Sequence, residues 1–311
     1  VPTCALPTLQ KIRGRRDRLG AVNMDQFTEA FFSPHPYGHP KVGTEESVAE
    51  LTAGDVRDFH ARVARPNQMV LSVAGDIDPS HVAQLAERYF VEPEAKKRSA
   101  PEMPSPAGRQ EPGLVVGDLE KEQAHVIVGF DAPTLNDDDR YPLRVLYAIL
   151  SGQGGRLFYQ LRDRESLAYS VHAKPLLGLD ASTFAVMIGT SPQKIEQAVG
   201  GIFREIEKVR HDSITDQEID RAKRYLIGNH DIGLQKNSSR ALSIGLDELY
   251  ELGYKRSLRY GELIEEVSRE DVAGVARRYL KSEVSVTSVV KPQAVDVADD
   301  LVERALEQVE D

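Results

Sequence analysis

Two stretches of this chain carry one pattern written twice. Residues 51–75 (LTAGDVRDFHARVARPNQMVLSVAG) and 267–291 (VSREDVAGVARRYLKSEVSVTSVVK) align without a gap at an offset of 216. Asp55 faces Asp271, Val56 faces Val272, Arg62 faces Arg278, Val70 faces Val286, and Ser72-Val73 face Ser288-Val289. Thr52 and Ser268 share a slot three residues before an Asp, the side-chain pattern of a helix N-cap with the acid in the first turn. Each copy reads as a capped helix followed by a β-branched strand. Whatever unit the second copy builds, the first must contain a version of it.

The second copy is complete. A Pro-rich segment, VEPEAKKRSAPEMPSPAGRQEPG (91–113), reads as an extended linker, because its prolines forbid helix and interior strand. EQAHVIVGFD (122–131) then alternates as a strand, and DDDRYPLRVLYAILSG (137–152) reads as a helix with acids in its first turn. SLAYSVHAKP (166–175) and ASTFAVMIGT (181–190) read as an antiparallel strand pair. SPQKIEQAVGGIFREIEKVR (191–210) reads as a capped amphipathic helix, and 215–252 as largely helical. Shifted by 216, the counterpart of this unit's front half falls before Val1, so residues 1–90 match only its back half. The opening VPTCALPTLQKI aligns with the helix at 217–228 but carries Pro2 and Pro7. A proline in a helix interior costs about 3 kcal/mol, so this end is expected to depart from the repeat.

The 311 residues are 41% hydrophobic, enough for cores in two domains of ordinary size. A net charge of −10 argues against a general nucleic-acid or anionic-membrane surface. Cys4 is the one cysteine, which excludes a disulfide framework within the chain and a Cys-based zinc cage. No apolar run approaches the roughly 18 residues that span a bilayer. The N-terminus lacks the basic start and long apolar stretch of a signal peptide. Either a cytoplasmic or a periplasmic location is compatible with these features.

The stretch LFYQLRDRESLAYSV (157–171), preceded by SGQGG (151–155), places Arg162 and Tyr169 seven positions apart. Taken alone, Arg162 sits in a charged run where a solvated arginine is the default, and Tyr169 starts a strand where tyrosine is common. Two longer phrases change that reading. They are HPYGHPKVGTEESVAELTAGDVRDFHARVARPNQMVLSVAGDID (35–78) and QAHVIVGF…ILSGQGGRLFYQLRDRESLAYSVHA within 123–173. Through them the chain, from about residue 12 to 291, resembles the pitrilysin-type zinc metallopeptidases, which include the small bacterial zinc proteases and the mitochondrial processing peptidase subunits. The resemblance implies an α+β fold of duplicated metallopeptidase-type domains. Each would be a mixed β-sheet packed by helices on one face, and here the first copy is truncated. It implies a division into the C-terminal part of a first domain (1–91), a linker (92–112), a complete second domain (113–292) and an acidic tail (293–311).

The same resemblance implies a closed chamber for peptides. Zinc would sit on an inverted His-x-x-Glu-His helix of the first half, with a Glu as third ligand. Arg162 and Tyr169 match the Arg–Tyr pair that the second half lends to that chamber. A tyrosine hydroxyl can donate to the oxyanion of a tetrahedral intermediate, and an arginine can hold a substrate carbonyl or carboxylate in register. Gly152, Gly154 and Gly155 would form a tight turn along which substrate backbone passes. Glu165 reads as a surface partner for an arginine. None of the eight histidines forms His-x-x-Glu-His, and His35 and His39 flank Pro36 and Gly38, which is not a helix face. Lys11 aligns with the third-ligand slot, and the helix at 137–150, in the place of the zinc helix, has no histidine. No metal site is therefore expected in this chain, the zinc belonging to the family's complete enzyme.

GHPKVGTEESV (38–48) reads as a loop leading into a short helix with a packing role. DVADDLVERALEQVED (296–311) is either a short helix that docks on a partner or a frayed tail. Two functional readings are open. In one, the chain supplies the Arg–Tyr half of a metallopeptidase and is inert alone. In the other, it is a non-catalytic structural or peptide-binding homologue. Half a sheet in the first copy leaves an unpaired edge, so self-association or pairing with a zinc-motif-bearing subunit is expected.

Overall fold

The computed structural model describes residues 6–65, 68–90, 104, 110–152, 154–211 and 213–310. The linker reading of 91–113 falls largely outside them, as do Pro2 and Cys4. The first ninety residues form α1 (Leu6–Arg16), α2 (Leu19–Phe32), α3 (Glu45–Glu50), α4 (Ala53–Val63) and α5 (Pro79–Tyr89). From 113 onward come β1 (Gly113–Asp118), β2 (Ala124–Asp131), α6 (Arg140–Leu150), β3 (Ser170–Leu176), β4 (Thr183–Thr190) and α7 (Ile195–Arg210). They are followed by α8 (Asp216–Gly233), α9 (Asn237–Leu249), α10 (Tyr260–Glu265), α11 (Arg269–Tyr279), β5 (Val286–Lys291) and α12 (Leu301–Glu310).

The five strands make one mixed sheet in the order β1-β5-β2-β4-β3. β1 runs parallel to β5, and the other three pairings are antiparallel. Val126, Val128 and Phe130 of β2 point into the larger core, together with Phe184, Val186 and Ile188 of β4 and with α6, α7 and α11. Ile127, Ala185 and Met187 point the other way, onto Phe27, Phe31 and Phe32 of α2. The sheet is thus covered on both faces, and the second cover comes from the N-terminal segment. Burial of both faces is why β4 reads as an unbroken apolar run rather than an alternation.

The duplicated caps form as the spacing requires. The Thr52 amide donates to Asp55 Oδ2 at 2.8 Å, and the Asp55 amide returns a bond to Thr52 Oγ1 at 3.2 Å. Ser268 and Asp271 repeat this at 2.8 and 3.1 Å. The cap hydroxyls also donate to these carboxylates, at 2.7 and 2.6 Å, and they, then the cap amides, hold both aspartate carboxyls below their usual range. After the helix the copies part. Val286–Lys291 is a buried strand between β1 and β2. Its counterpart at 70–75 is not a strand, and Met69, Val70, Leu71 and Val73 are exposed. A strand is stable through its neighbours, and no strand pairs with this segment among the described residues.

Two other expectations are corrected. The N-terminal segment follows the repeat from Leu6 on, because Pro7 is the second residue of α1, in the first turn where a missing amide has no partner to lose. For the acidic C-terminus the short-helix reading holds and the frayed one does not, and the surface it docks on belongs to this chain. The segment forms α12, which packs on α7 of the same chain and buries Leu301, Val302 and Ala305.

α2 lies tightly against the sheet at Gly129. A Cβ built there would lie 2.2 Å from Phe27 Cζ. Gly129→Ala is therefore expected to lower stability by about 1–3 kcal/mol through overpacking, measured as a shift of the urea midpoint. Combining it with Phe27→Leu should recover part of the loss. Wild-type stability in the single variant would show that α2 does not sit where described.

Candidate functional site

The stretch 157–171 wraps one end of the sheet. Phe158–Arg164 forms a π-helical turn, a widened turn that recurs at functional sites. Its inner side is Leu161, fully buried against Gly201 of α7, where a Cβ would approach Leu161 Cδ2 to 2.6 Å. The chain then turns through Ser166, which has a positive φ of 51°. The Leu167 amide donates to the Leu161 carbonyl at 2.7 Å, and Thr190 Oγ1 donates to the Leu167 carbonyl at 2.6 Å. The Tyr169 amide donates to the Gly189 carbonyl at 2.8 Å, locking the entry to β3 onto β4.

This frame brings Arg162 and Tyr169 to the surface at the two ends of one pinned turn. Arg162 is exposed, with its guanidinium over the Phe158 ring at 4.6 Å. Tyr169 is 58% exposed, and its hydroxyl has no hydrogen-bond partner among the described residues. Glu165 is engaged elsewhere, accepting from Arg204 Nη2 at 2.7 Å and Gln160 Nε2 at 3.0 Å.

The glycine run before it differs residue by residue. Gly152 has φ +83°, and a Cβ at Gly155 would lie 2.4 Å from the Ser151 carbonyl oxygen, so both positions demand glycine. Gly154 meets nothing within 4 Å and has no such constraint. Ser151 Oγ docks the run on the free edge of β3, bonding the Ala173 amide at 3.2 Å and carbonyl at 3.3 Å. Arg156 anchors the far end as a fork on Glu218, at 2.6 and 2.7 Å, and on the Ser213 carbonyl at 2.7 Å. Burial pushes the Glu218 carboxyl up, but the bonds from Arg156 and Thr215 outweigh it and hold the carboxyl down at about 2. The sequence reading missed this anchor, which joins residues 62 apart.

It also assigned nothing to His125 and His172. Register places His125 opposite Gly189 and His172 opposite Met187, so both lie on the α2 face of the sheet. His125 Nδ1 is 3.0 Å from Asn23 Nδ2, which also donates to the His125 carbonyl at 2.6 Å. Burial, and then the charge of His172, push His125 down to about 4. His172 is lowered too, by burial and then Lys174.

Among the described residues no group of three His, Cys, Asp or Glu could hold a metal ion. Lys11 is exposed on α1. His35 is buried and stacks edge-on with Tyr37 at 4.4 Å, while His39 is exposed, so the two do not converge. No described helix is long and apolar enough to cross a membrane.

The chain is similar to several known proteins. Residues 50–226 match the family model described as peptidase M16 inactive domain. An uncharacterized zinc protease of Mycobacterium bovis is 32% identical over 276 residues, which is 88% of this chain and 63% of that protein. The chain thus spans a little under two thirds of that relative's length. A protease from Helicobacter pylori superposes with a TM-score of 0.83 at 19% identity, over 93% of this chain and 71% of that one. A peptidase M16 inactive domain from Pseudomonas fluorescens superposes at 0.79 with 17% identity, over 95% and 71%. These two likenesses establish the fold.

The histidine pair yields a pH dependence. An unfolded histidine takes its proton near pH 6.5 and folded His125 near 4, so between these values the unfolded state binds more protons. Stability is then full above about pH 6.5 and falls as pH drops toward 4, by on the order of 3 kcal/mol. Denaturant unfolding of His125→Gln should show a shallower decline over this window. An unchanged slope would remove His125 as its source.

Proposed function

The chain belongs to the peptidase M16 inactive domain family, and from that premise we propose that it forms the substrate-holding side of a zinc-dependent peptidase chamber. The observation that carries this reading is the presentation of Arg162 and Tyr169. Both are exposed on a turn fixed by buried Leu161 and by backbone bonds to β4. Arg162 holds a carbonyl or carboxylate of the peptide, and Tyr169 donates to the oxyanion that develops on the attacked carbonyl. The turn through Gly152, Gly154 and Gly155 lets peptide backbone pass close by. Zinc belongs to another segment or subunit. The described residues do not fit it, and no step through a metal is assigned to this chain.

On this reading the chain divides as 1–91, the linker 92–112, the Arg–Tyr domain 113–292 and the segment 293–311. The helices support a partner for the first part. By the repeat, α9 is the counterpart of α2, and 70–75 is the counterpart of β5. As α2 covers β5, so α9 touches the 70–75 segment, with Gly245 close against Ser72. Leu242 and Leu249 of α9 stay exposed, as do Val70, Leu71 and Val73. Strands pairing alongside 70–75, as β1 and β2 pair with β5, would complete a sheet beneath α9, supplied by a front-half segment or by another subunit. Sedimentation velocity at tens of micromolar should therefore show species heavier than the 34.5 kDa monomer. A clean monomer would count against an unpaired face.

A second reading, a non-catalytic peptide-binding or assembly scaffold, is favoured by Lys11 in the slot where the resemblance places a zinc ligand. Cleavage of a quenched-fluorescence peptide mixture separates the two. The chain alone should be inert, and the chain mixed with a polypeptide bearing His-x-x-Glu-His should give chelator-sensitive cleavage. Arg162→Ala or Tyr169→Phe should then lower kcat/KM by about 100- to 1000-fold without changing Tm. Full activity in both variants would sink the catalytic role. Peptide binding without cleavage in the mixture would establish the scaffold.

A further inference from the structure

On the opposite side of α6 from the sheet, between α6, α8, α9 and the turn at 257–259, lies a cavity of about 300 Å³. Three guanidiniums line it, those of Arg140, Arg144 and Arg256. Arg140 is 5% exposed, and its partners are the Leu135 carbonyl and, at 2.8 Å, the Tyr141 hydroxyl. Neither partner carries a charge. Arg144 faces the Tyr260 hydroxyl, whose upward push by burial its charge partly offsets. Arg256 donates to the Tyr141 hydroxyl and to Asp138 Oδ1, both at 2.7 Å. Asp138 lies at the rim, 88% exposed. The one carboxylate in the lining is Asp247, and its Oδ2 is taken by the Ser257 amide at 2.8 Å. Ser257 also lines the cavity. The residue is 8% exposed, and its Oγ has no hydrogen-bond partner.

Three cations therefore meet two carboxylates, one of them in water and the other already engaged. A buried guanidinium answered only by neutral oxygens keeps much of its desolvation cost, and like charges repel more strongly in a low-dielectric site. An orphaned buried hydroxyl adds to that cost. One dianionic oxyanion would relieve all of it, accepting from the guanidinium forks and from Ser257 Oγ together. The surrounding side chains are already fixed, since His230 stacks on Tyr260 at 4.3 Å and its Nε2 lies 3.0 Å from the Ser257 carbonyl. The volume exceeds a bare phosphate and leaves room for a small group that carries one.

We propose that this cavity binds a phosphate group, free or esterified on a small molecule, through Arg140, Arg144, Arg256 and the Ser257 hydroxyl. The site is separate from Arg162 and Tyr169, so its occupancy can be read without any peptide cleavage. Calorimetric titration of the 311-residue chain with inorganic phosphate, and separately with ribose 5-phosphate, tests it at an ionic strength held constant with chloride. Saturable binding with a Kd below about 1 mM is expected for at least one of the two. The tighter of the two identifies whether the group is free or esterified. Arg144→Gln and Arg256→Gln should each weaken binding by tenfold or more, and Ser257→Ala by a smaller factor. These positions are preferred to Arg140, whose removal could unfold the chain, and circular dichroism checks that each variant is folded. Absence of saturable heat with both probes, or binding unchanged in both arginine variants, would overturn the proposal.

Discussion

Phe27 rests on the backbone of Gly129, in a gap too narrow for a Cβ. Around that contact Asn23 and Gln26 bond to carbonyls of the sheet. Asn23 reaches His125 and Ser288, and Gln26 reaches Val115 and Val289. A helix with two polar residues on its inner face can lie on a sheet only if each amide finds an acceptor, and here each does. Much of the rest follows from this seating. It buries the second face of the sheet, ties the first thirty residues to a unit that begins about eighty residues later, and desolvates His125.

The same sheet supports Arg162 and Tyr169 through β4. Their turn is held by Leu161 in the main core and by bonds to the last residues of β4. Side chains meant to meet a ligand need rigid support and free tips. Arg156 and Ser151 give the preceding glycine run the same treatment, one through a forked ion pair and the other through the free edge of β3.

The arginines of this chain occupy two electrostatic regimes. Arg162 keeps its hydration and lies over Phe158, so its charge costs little to hold ready. Arg140 has given up its water for a carbonyl and a phenol, beside two further guanidiniums. The first arrangement suits transient contact with a passing chain. The second suits a resident anion.

The local features were legible in the sequence. The Thr52–Asp55 and Ser268–Asp271 caps, the β2 and β4 strands, the helix before the glycine turn and the exposure of Arg162 all rest on residues a few positions apart. β1 was missed, its short run lying beside the linker. Alternation and capping are properties of neighbouring residues, so sequence alone determined them, along with the duplication and the family phrases. Tertiary structure decided the rest. It put α2 on the sheet of the other copy, and Asn23 meets His125 across 102 positions. It made a strand of 286–291 and not of 70–75, although both carry β-branched residues, because among the described residues only the former has neighbours to pair with. It seated Pro7 in a first turn, folded α12 onto α7, and gathered Arg140, Arg144 and Arg256 from two distant segments into one cavity. Burial and charge convergence depend on which segments meet in space, and a linear pattern carries no distance between residues a hundred positions apart.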